Sequence, residues 1–413
     1  PSDAVGDSNR RDRRSRGSYY ITDMTQSNWS VPETEVVQQI RDRLDGDRTD
    51  VLATIVDVEG NAYRRPGAKM LLDEGGSGVG SITAGCLEDE LLAVGERVRE
   101  TGETELVTYD LMNDDDEDVW GLGVGCNGVI EVLLEPLTET YRPAVEAFFG
   151  GRDVAVVTVL DGGERFERGD RVYYYPDEGT LESPDGSEAT GWPVDALSGP
   201  AAELAARGKA GTVSLPDGAD ELTVFVDGLD APDELVVFGT GHDVRPVTEL
   251  ASKNDFRVTV VGFRGAVDLD ERFPDADRTV TTSPATVGDD LDLDERTYAV
   301  VMTHNFVDDQ LTVESLLDAG VPYVGVMGPR ERFDRMLDAF EDDGRRFGEE
   351  TLSSVYTPVG LDLGGGSPFQ IAHSIVAEVL AVSNERTPRH LKRCEGPIHE
   401  RVDVESDADA PAQ

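Results

Sequence analysis

The chain has 413 residues, enough for two or three domains with real cores, and its 84 Asp+Glu against 37 Lys+Arg give a formal net charge of −47. A field of that sign argues against nucleic acid as a partner, no apolar run approaches the ~18 residues of a membrane span, and three cysteines make no disulfide framework. The acids are spread along the whole length and only Lys69, Lys209, Lys253 and Lys392 are lysines. That composition suits a soluble protein of a salt-loving cytoplasm, where a Debye length of ~3 Å at 1 M salt screens the self-repulsion.

Residues 1–29 lack apolar periodicity and read as a disordered extension. Their paired arginines, RRDRRSRGS, have no hydrophobic region after them and do not make a signal peptide. Met24 opens a more ordinary N-terminus, so it is expected to be the start, with 1–23 an upstream extension. Residues 30–147 read as an N-terminal α+β domain. A helix over Glu33–Leu44 puts Val36, Val37, Ile40 and Leu44 on one face. Strands follow at 51–60 (VLATIVDVEG) and within 64–72 (RRPGAKMLL), then a short strand and a glycine corner at 78–85. A helix begins at about Cys86, with Glu88, Asp89 and Glu90 in the first turn, where the helix dipole favours acids. Strand Glu105–Asp110, a solvated acidic loop at 113–118 and GLGVGCNGVIEVLLEPL (121–137) complete the domain.

Residues 148–233 read as a variable middle segment and linker. Strands are expected at Val154–Leu160, Val172–Tyr175 and Leu222–Val226, a helix at Pro200–Arg207, and a boundary in the turn-rich Asp227–Asp233. Glu234–Gly262 then reads as strand, glycine turn, helix, strand: the opening of a Rossmann-type unit, where small residues let a phosphate approach the backbone. The fingerprint is incomplete, since Val244 stands at the third glycine position and Gly262 where an acid would grip a ribose. Further alternation of strands (Thr279–Thr282, Tyr298–Met302, Tyr323–Met327, Val355–Thr357) with helices predicts a doubly wound, mostly parallel sheet over 234–387. Ligands of such sheets sit at the carboxyl ends of the strands, which collects Gly239–His242, Thr303–Asn305, Gly328–Arg330 and Gly364–Ser367 on one edge. Residues 388–413 read as a mobile acidic tail.

The segments VLATIVDVEG, RRPGAKML, GSITAGCLEDE and GLGVGCNGVIEVLLEPL in the first half, with ELVVFGTGHDVRP, VVMTHNFVDDQLTV, YVGVMGPRERF and PVGLDLGGGSPFQIAHSIVAEVLAV in the second, resemble the XdhC/CoxI family. Its members are maturation factors of molybdenum hydroxylases such as xanthine dehydrogenase and carbon monoxide dehydrogenase. The resemblance spans both halves in the family's order, with Gly262 and the Thr83–Cys86 corner as departures. It implies a cytoplasmic chaperone or carrier, for which turnover is not required. That carrier would bind molybdenum cofactor (molybdopterin), support its sulfuration and deliver it to an apo molybdenum hydroxylase, with a cysteine desulfurase as sulfur source. A homodimer is left open.

On this reading Cys86 and Cys126 are candidate thiolate ligands of the metal or sulfur acceptors, and Cys126 lies in a glycine loop able to form an anion nest. Arg64 and Arg65, beside Lys69, are candidates for the pterin phosphate, since arginine forks match phosphate geometry. Gly239, Gly241, His242, His304 and Arg330 are cofactor-binding candidates of the second half, the histidines as donors, bases or ligands and Arg330 as an anion clamp at a helix N-terminus. Each has a bland alternative: small buried thiols at tight corners, arginines paired with the surrounding acids, and structurally satisfied histidines. Two other functions fit the residues. One is an NAD(P)-dependent oxidoreductase using Gly239–Gly241 with His304 as acid/base; the other is a scaffold that recruits desulfurase and hydroxylase without holding cofactor.

Overall fold

The computed structural model describes residues 28–46, 48–85, 87–110, 127–217, 220–265 and 267–393. The chain first forms helix α1 (Glu33–Leu44), strands β1 (Val51–Asn61), β2 (Lys69–Leu72) and β3 (Gly78–Gly80), helix α2 (Glu88–Thr101), strands β4 (Glu105–Asp110) and β5 (Asn127–Pro136), and helix α3 (Arg142–Phe149). The strands make an antiparallel sheet of order β3-β2-β1-β5-β4. Alternation along β1 and β5 sends Val51, Ala53, Ile55, Ile130, Val132 and Leu134 toward Leu91 and Val98 of α2. Val56 and Leu133 point the other way, onto a second sheet.

That second sheet is the middle of the chain: β6 (Val154–Asp161), β7 (Arg171–Tyr175), β8 (Thr180–Glu182), helix α4 (Val194–Ala205), β9 (Ala210–Asp217) and β10 (Asp220–Leu229). Its order is β8-β7-β6-β10-β9, all antiparallel. Three details depart from the sequence reading. Helix α4 begins six residues before Pro200 and carries that proline inside it. β9 is an edge strand, which is where Pro216 is tolerated because no neighbour needs its missing N–H. β10 runs on to Leu229 through the expected boundary, because Asp227 is buried against Lys69, Nζ to Oδ2 2.6 Å.

The last part contains β11 (Glu234–Phe238), α5 (Val244–Ser252), β12 (Arg257–Gly262), β13 (Arg278–Thr281), β14 (Thr297–Val301), α6 (Phe306–Ala319), β15 (Tyr323–Val326), α7 (Arg330–Asp342), β16 (Val355–Tyr356) and α8 (Pro368–Ser383). The strands are parallel in the order β13-β12-β11-β14-β15-β16, the arrangement of a dinucleotide-binding doubly wound sheet. Their apolar runs are continuous because both faces are covered. Leu235, Val237, Val258, Val260 and Val300 pack under α5 and α8. Val236, Phe238, Val261, Ala299 and Val301 pack under α6 and α7.

The parallel sheet meets the antiparallel part at its amino end. Asp255, just before β12, accepts from the N–H and Oγ1 of Thr34 at 2.9 and 3.1 Å. Arg257, at the start of β12, donates to the Phe149 carbonyl at 3.3 Å, and Arg296, just before β14, pairs with Asp153. The carboxyl ends of the same strands lie at the opposite end of the sheet. No helix among the described residues is long and apolar enough to cross a membrane.

Candidate functional site at the carboxyl edge of the parallel sheet

The turn after β11 is built by close approach. Gly239 has φ +152, and a Cβ there would lie 2.6 Å from the Met302 carbonyl oxygen; Met302 N–H in turn donates to Phe238 O at 2.9 Å. The ends of β11 and β14 are thereby held together. A Cβ on Gly241 would collide with the carboxylate of Asp243. Val244, at the third glycine position and first residue of α5, is buried in the core between that helix and the sheet. At Gly262 a side chain would meet Thr240 Cγ2 at 3.0 Å and Leu269 at 3.2 Å, so the place of a ribose-gripping acid is filled by apolar atoms.

Asp243 reaches across to the next strand: its Oδ2 lies 2.7 Å from Nε2 of His304. His304 follows β14 and holds a left-handed backbone, φ +61, which histidine adopts more readily than branched residues do. β11 and β14 are the neighbours at which the strand order reverses, so the Asp243–His304 pair spans the crevice where ligands of these sheets enter.

Behind His304 the chain is firmly tied. Asn305 caps α6, its Oδ1 accepting from the N–H of Val307 and Asp308 at 3.0 and 3.1 Å. Thr303 Oγ1 donates to buried Asp309, and Arg332 donates to the other oxygen of Asp309 at 2.6 Å. The Arg332 guanidinium lies 5.6 Å from the Phe306 ring centroid, and its Nε is buried with no acceptor. Arg264 donates to Asp308 at 2.8 Å while remaining largely exposed. Arg272 comes within 3.5 Å of the exposed His242, and Arg330, first residue of α7, is exposed. The edge thus gathers His242, His304, Arg264, Arg272, Arg330 and Arg332. The glycines at 364–366 are exposed beside the same edge, and Ser367 closes a capping box with Gln370 around Pro368 at N1 of α8.

The sequence named Gly239, Gly241, His242, His304 and Arg330, and the fold brings them to this edge. It passed over Asp243, Arg264 and Arg332. All three follow strand ends, so the carboxyl-edge rule reaches them once β11, β12 and β15 are placed. Arg64 and Arg65 are elsewhere. Arg64 pairs with Glu33 near Asp255, at the amino end of the parallel sheet, and burial lowers its pKa; Arg65 is exposed. Lys69 is buried: burial works against its charge, but Asp227 and Tyr141 together outweigh it and the pKa is raised. Between the two antiparallel sheets a second buried pair, Arg171–Glu135, lies nearby, with burial raising the Glu135 pKa. Cys86 and Cys126, and Cys394 with them, lie outside the described residues. Among the described residues no group of three or more His, Cys, Asp or Glu is placed to hold a metal ion.

The amino end has its own cavity, about 300 Å³, lined by Asp230, Asp233, Asn254, Asp255, Phe256 and Leu380 among others. Burial pushes the Asp233 carboxyl up to about 6, with Asp153 adding to the effect and Arg296 opposing it.

Taken together, the fold defines a two-part α/β protein. A pair of packed antiparallel sheets carries a Rossmann-type domain whose glycine turn serves its own packing. Comparison with known proteins makes this particular. A family model described as the XdhC Rossmann domain matches residues 235–379, and one described as the XdhC and CoxI family matches 43–110. The chain is 30% identical over 338 residues to a Bacillus subtilis protein named as a probable xanthine dehydrogenase subunit, covering 80% of this chain and 92% of that one. It is also 25% identical over 169 residues to an uncharacterised protein, YqeB, of Escherichia coli, covering 41% of this chain and 30% of that one. A crystal structure titled as a xanthine dehydrogenase of Bacillus halodurans superposes with a TM-score of 0.68 at 29% identity, over 85% of this chain and 96% of that one. The chain belongs to the XdhC and CoxI family.

Proposed function

We propose that the protein is a maturation factor for a molybdenum hydroxylase of the xanthine dehydrogenase or carbon monoxide dehydrogenase type. It binds molybdenum cofactor, supports its sulfuration and delivers it to the apo-enzyme, with a cysteine desulfurase as sulfur donor. Family membership and the likeness to relatives bearing the xanthine dehydrogenase name support the client class. The observation that carries cofactor binding is the gathering of cationic and imidazole donors at the carboxyl edge of so acidic a chain.

That donor set fits the phosphate-bearing end of the cofactor. Arg264 and Arg330 are exposed guanidiniums with bidentate geometry for phosphate oxygens. Arg332 is immobilised by Asp309 and leaves Nε without an acceptor, and His242 and His304 add neutral or charged donors. Bound cofactor supplies oxo and sulfido groups on molybdenum. Cys86 and Cys126 are the thiols this chain offers to them. No observation favours the oxidoreductase reading over this one.

The test is a loading titration. The protein is purified anaerobically in molar salt and exposed to molybdenum cofactor or NAD(P)H, and bound molybdenum and pterin are quantified by mass spectrometry. Stoichiometric molybdenum and pterin are expected, falling at least tenfold in Arg264→Ala/Arg330→Ala and losing the metal in Cys126→Ala or Cys86→Ala. Retention of NAD(P)H alone, with neither molybdenum nor pterin, would overturn the proposal.

A further inference from the structure

We infer that Asp243 is a specificity-determining residue that shuts the Rossmann crevice to pyrophosphate-linked dinucleotides. The inference goes beyond the maturation reading and does not depend on it. In a dinucleotide site the second glycine is bare so that the pyrophosphate can lie against the backbone at the helix N-terminus. Here that glycine is Gly241, and the face on which its Cβ would stand is covered by the carboxylate of Asp243. The anion's place is taken by the protein's own anion, which repels a phosphate as well as excluding it sterically. The carboxylate is not free to swing away, because its other oxygen is bound to His304 at 2.7 Å across the crevice. It also makes no capping bond to α5, so α5 does not depend on it.

The neighbouring positions agree. Thr240 and Leu269 fill the space beside Gly262 where a ribose-binding acid would project. Gly239 is required by Met302 whatever the ligand. The Rossmann glycines are therefore satisfied by internal packing, and the cations left exposed on this edge, Arg264 and Arg330, follow other strands than β11.

The experiment titrates the full chain in molar salt, carrying Arg264→Ala/Arg330→Ala so that the arginines assigned to phosphate cannot take the probe, with inorganic pyrophosphate, which needs no ribose seat, and with ADP-ribose, both followed by calorimetry. With Asp243 in place this protein is expected to show no saturation up to millimolar concentration. Asp243→Gly, a residue accepted at helix N-caps, is expected to bind pyrophosphate at least tenfold more tightly, with a smaller gain for ADP-ribose. Asp243→Ser is measured alongside, so that a folding defect in one variant leaves the other to decide. His304→Gln keeps the carboxylate and offers it an amide donor in place of the imidazole, and is expected to gain less than threefold. Micromolar binding of pyrophosphate with Asp243 in place, a gain under tenfold in both folded Asp243 variants, or an equal gain in His304→Gln would each overturn the inference.

Discussion

The two ends of the parallel sheet are made from the same kinds of charged residue and put them to opposite use. At the amino end Arg296, Asp153, Asp255 and Thr34 are drawn into the junction with the antiparallel part, partly buried and partnered across it. At the carboxyl end His304, Arg264 and Arg330 keep much of their surface in solvent, and the partners of His304 and Arg264 belong to the same domain. A charge taken from water is used to fasten, since breaking it leaves an uncompensated partner. A charge left in water contributes little to stability and is free to meet a ligand. The contrast predicts that substitutions at the amino end act on stability and those at the carboxyl end on binding.

The largest effect is expected from Arg296→Ala. Arg296 holds Asp153 and donates to the Ala231 carbonyl at 2.8 Å, and its loss leaves Asp153, Asp233 and Asp294 facing one another. Denaturant melts in molar salt should show a loss of about 2–3 kcal/mol, with cofactor affinity unchanged. An unaltered midpoint would remove the distinction between the two ends.

A smaller effect with a definite pH signature is expected from Asp233→Asn. Burial raises the folded Asp233 carboxyl from 3.8 to about 6. Between these values the folded chain holds a proton that the unfolded chain has lost, so stability falls as pH climbs through that window and is level above it. The amide removes that slope. Asp233→Asn should therefore match wild type at pH 4 and melt higher at pH 8, and an equal melting shift at both would contradict the assignment. Ser367→Ala tests the boundary between the classes: it removes the capping box of α8, which should cost about 1 kcal/mol by the same melts.

The parallel sheet was legible because its strands are continuous apolar runs separated by amphipathic helices, and the glycine turn marked which edge matters. The middle sheet was less so. β9 carries only Val213 and Leu215 inward, with glycine and proline in the strand, and its edge position is a tertiary fact that no local pattern encodes. Lys69 looked like an available cation beside Arg64 and Arg65. Its burial follows from Asp227, distant in sequence and brought close only by the packing of the two antiparallel sheets. Asp243 was hidden for a different reason: among 84 acids one more carboxylate carries no signal until His304 is seen facing it.

The smallest effect, and the one that tests the carboxyl end most closely, is at His304 itself. Its left-handed backbone, φ +61, stores on the order of 1 kcal/mol or more, and the solvent-exposed pairing with Asp243 contributes little to stability. Asparagine tolerates this conformation but is too short to span to Asp243. His304→Asn should thus change stability by less than about 0.5 kcal/mol while weakening cofactor binding. His304→Val places a β-branched residue in the left-handed region and should lose about 1–2 kcal/mol more than His304→Asn. Equal melts for the two variants would show that the backbone at 304 relaxes freely. His304 would then be an ordinary exposed histidine, not one held in place for a ligand.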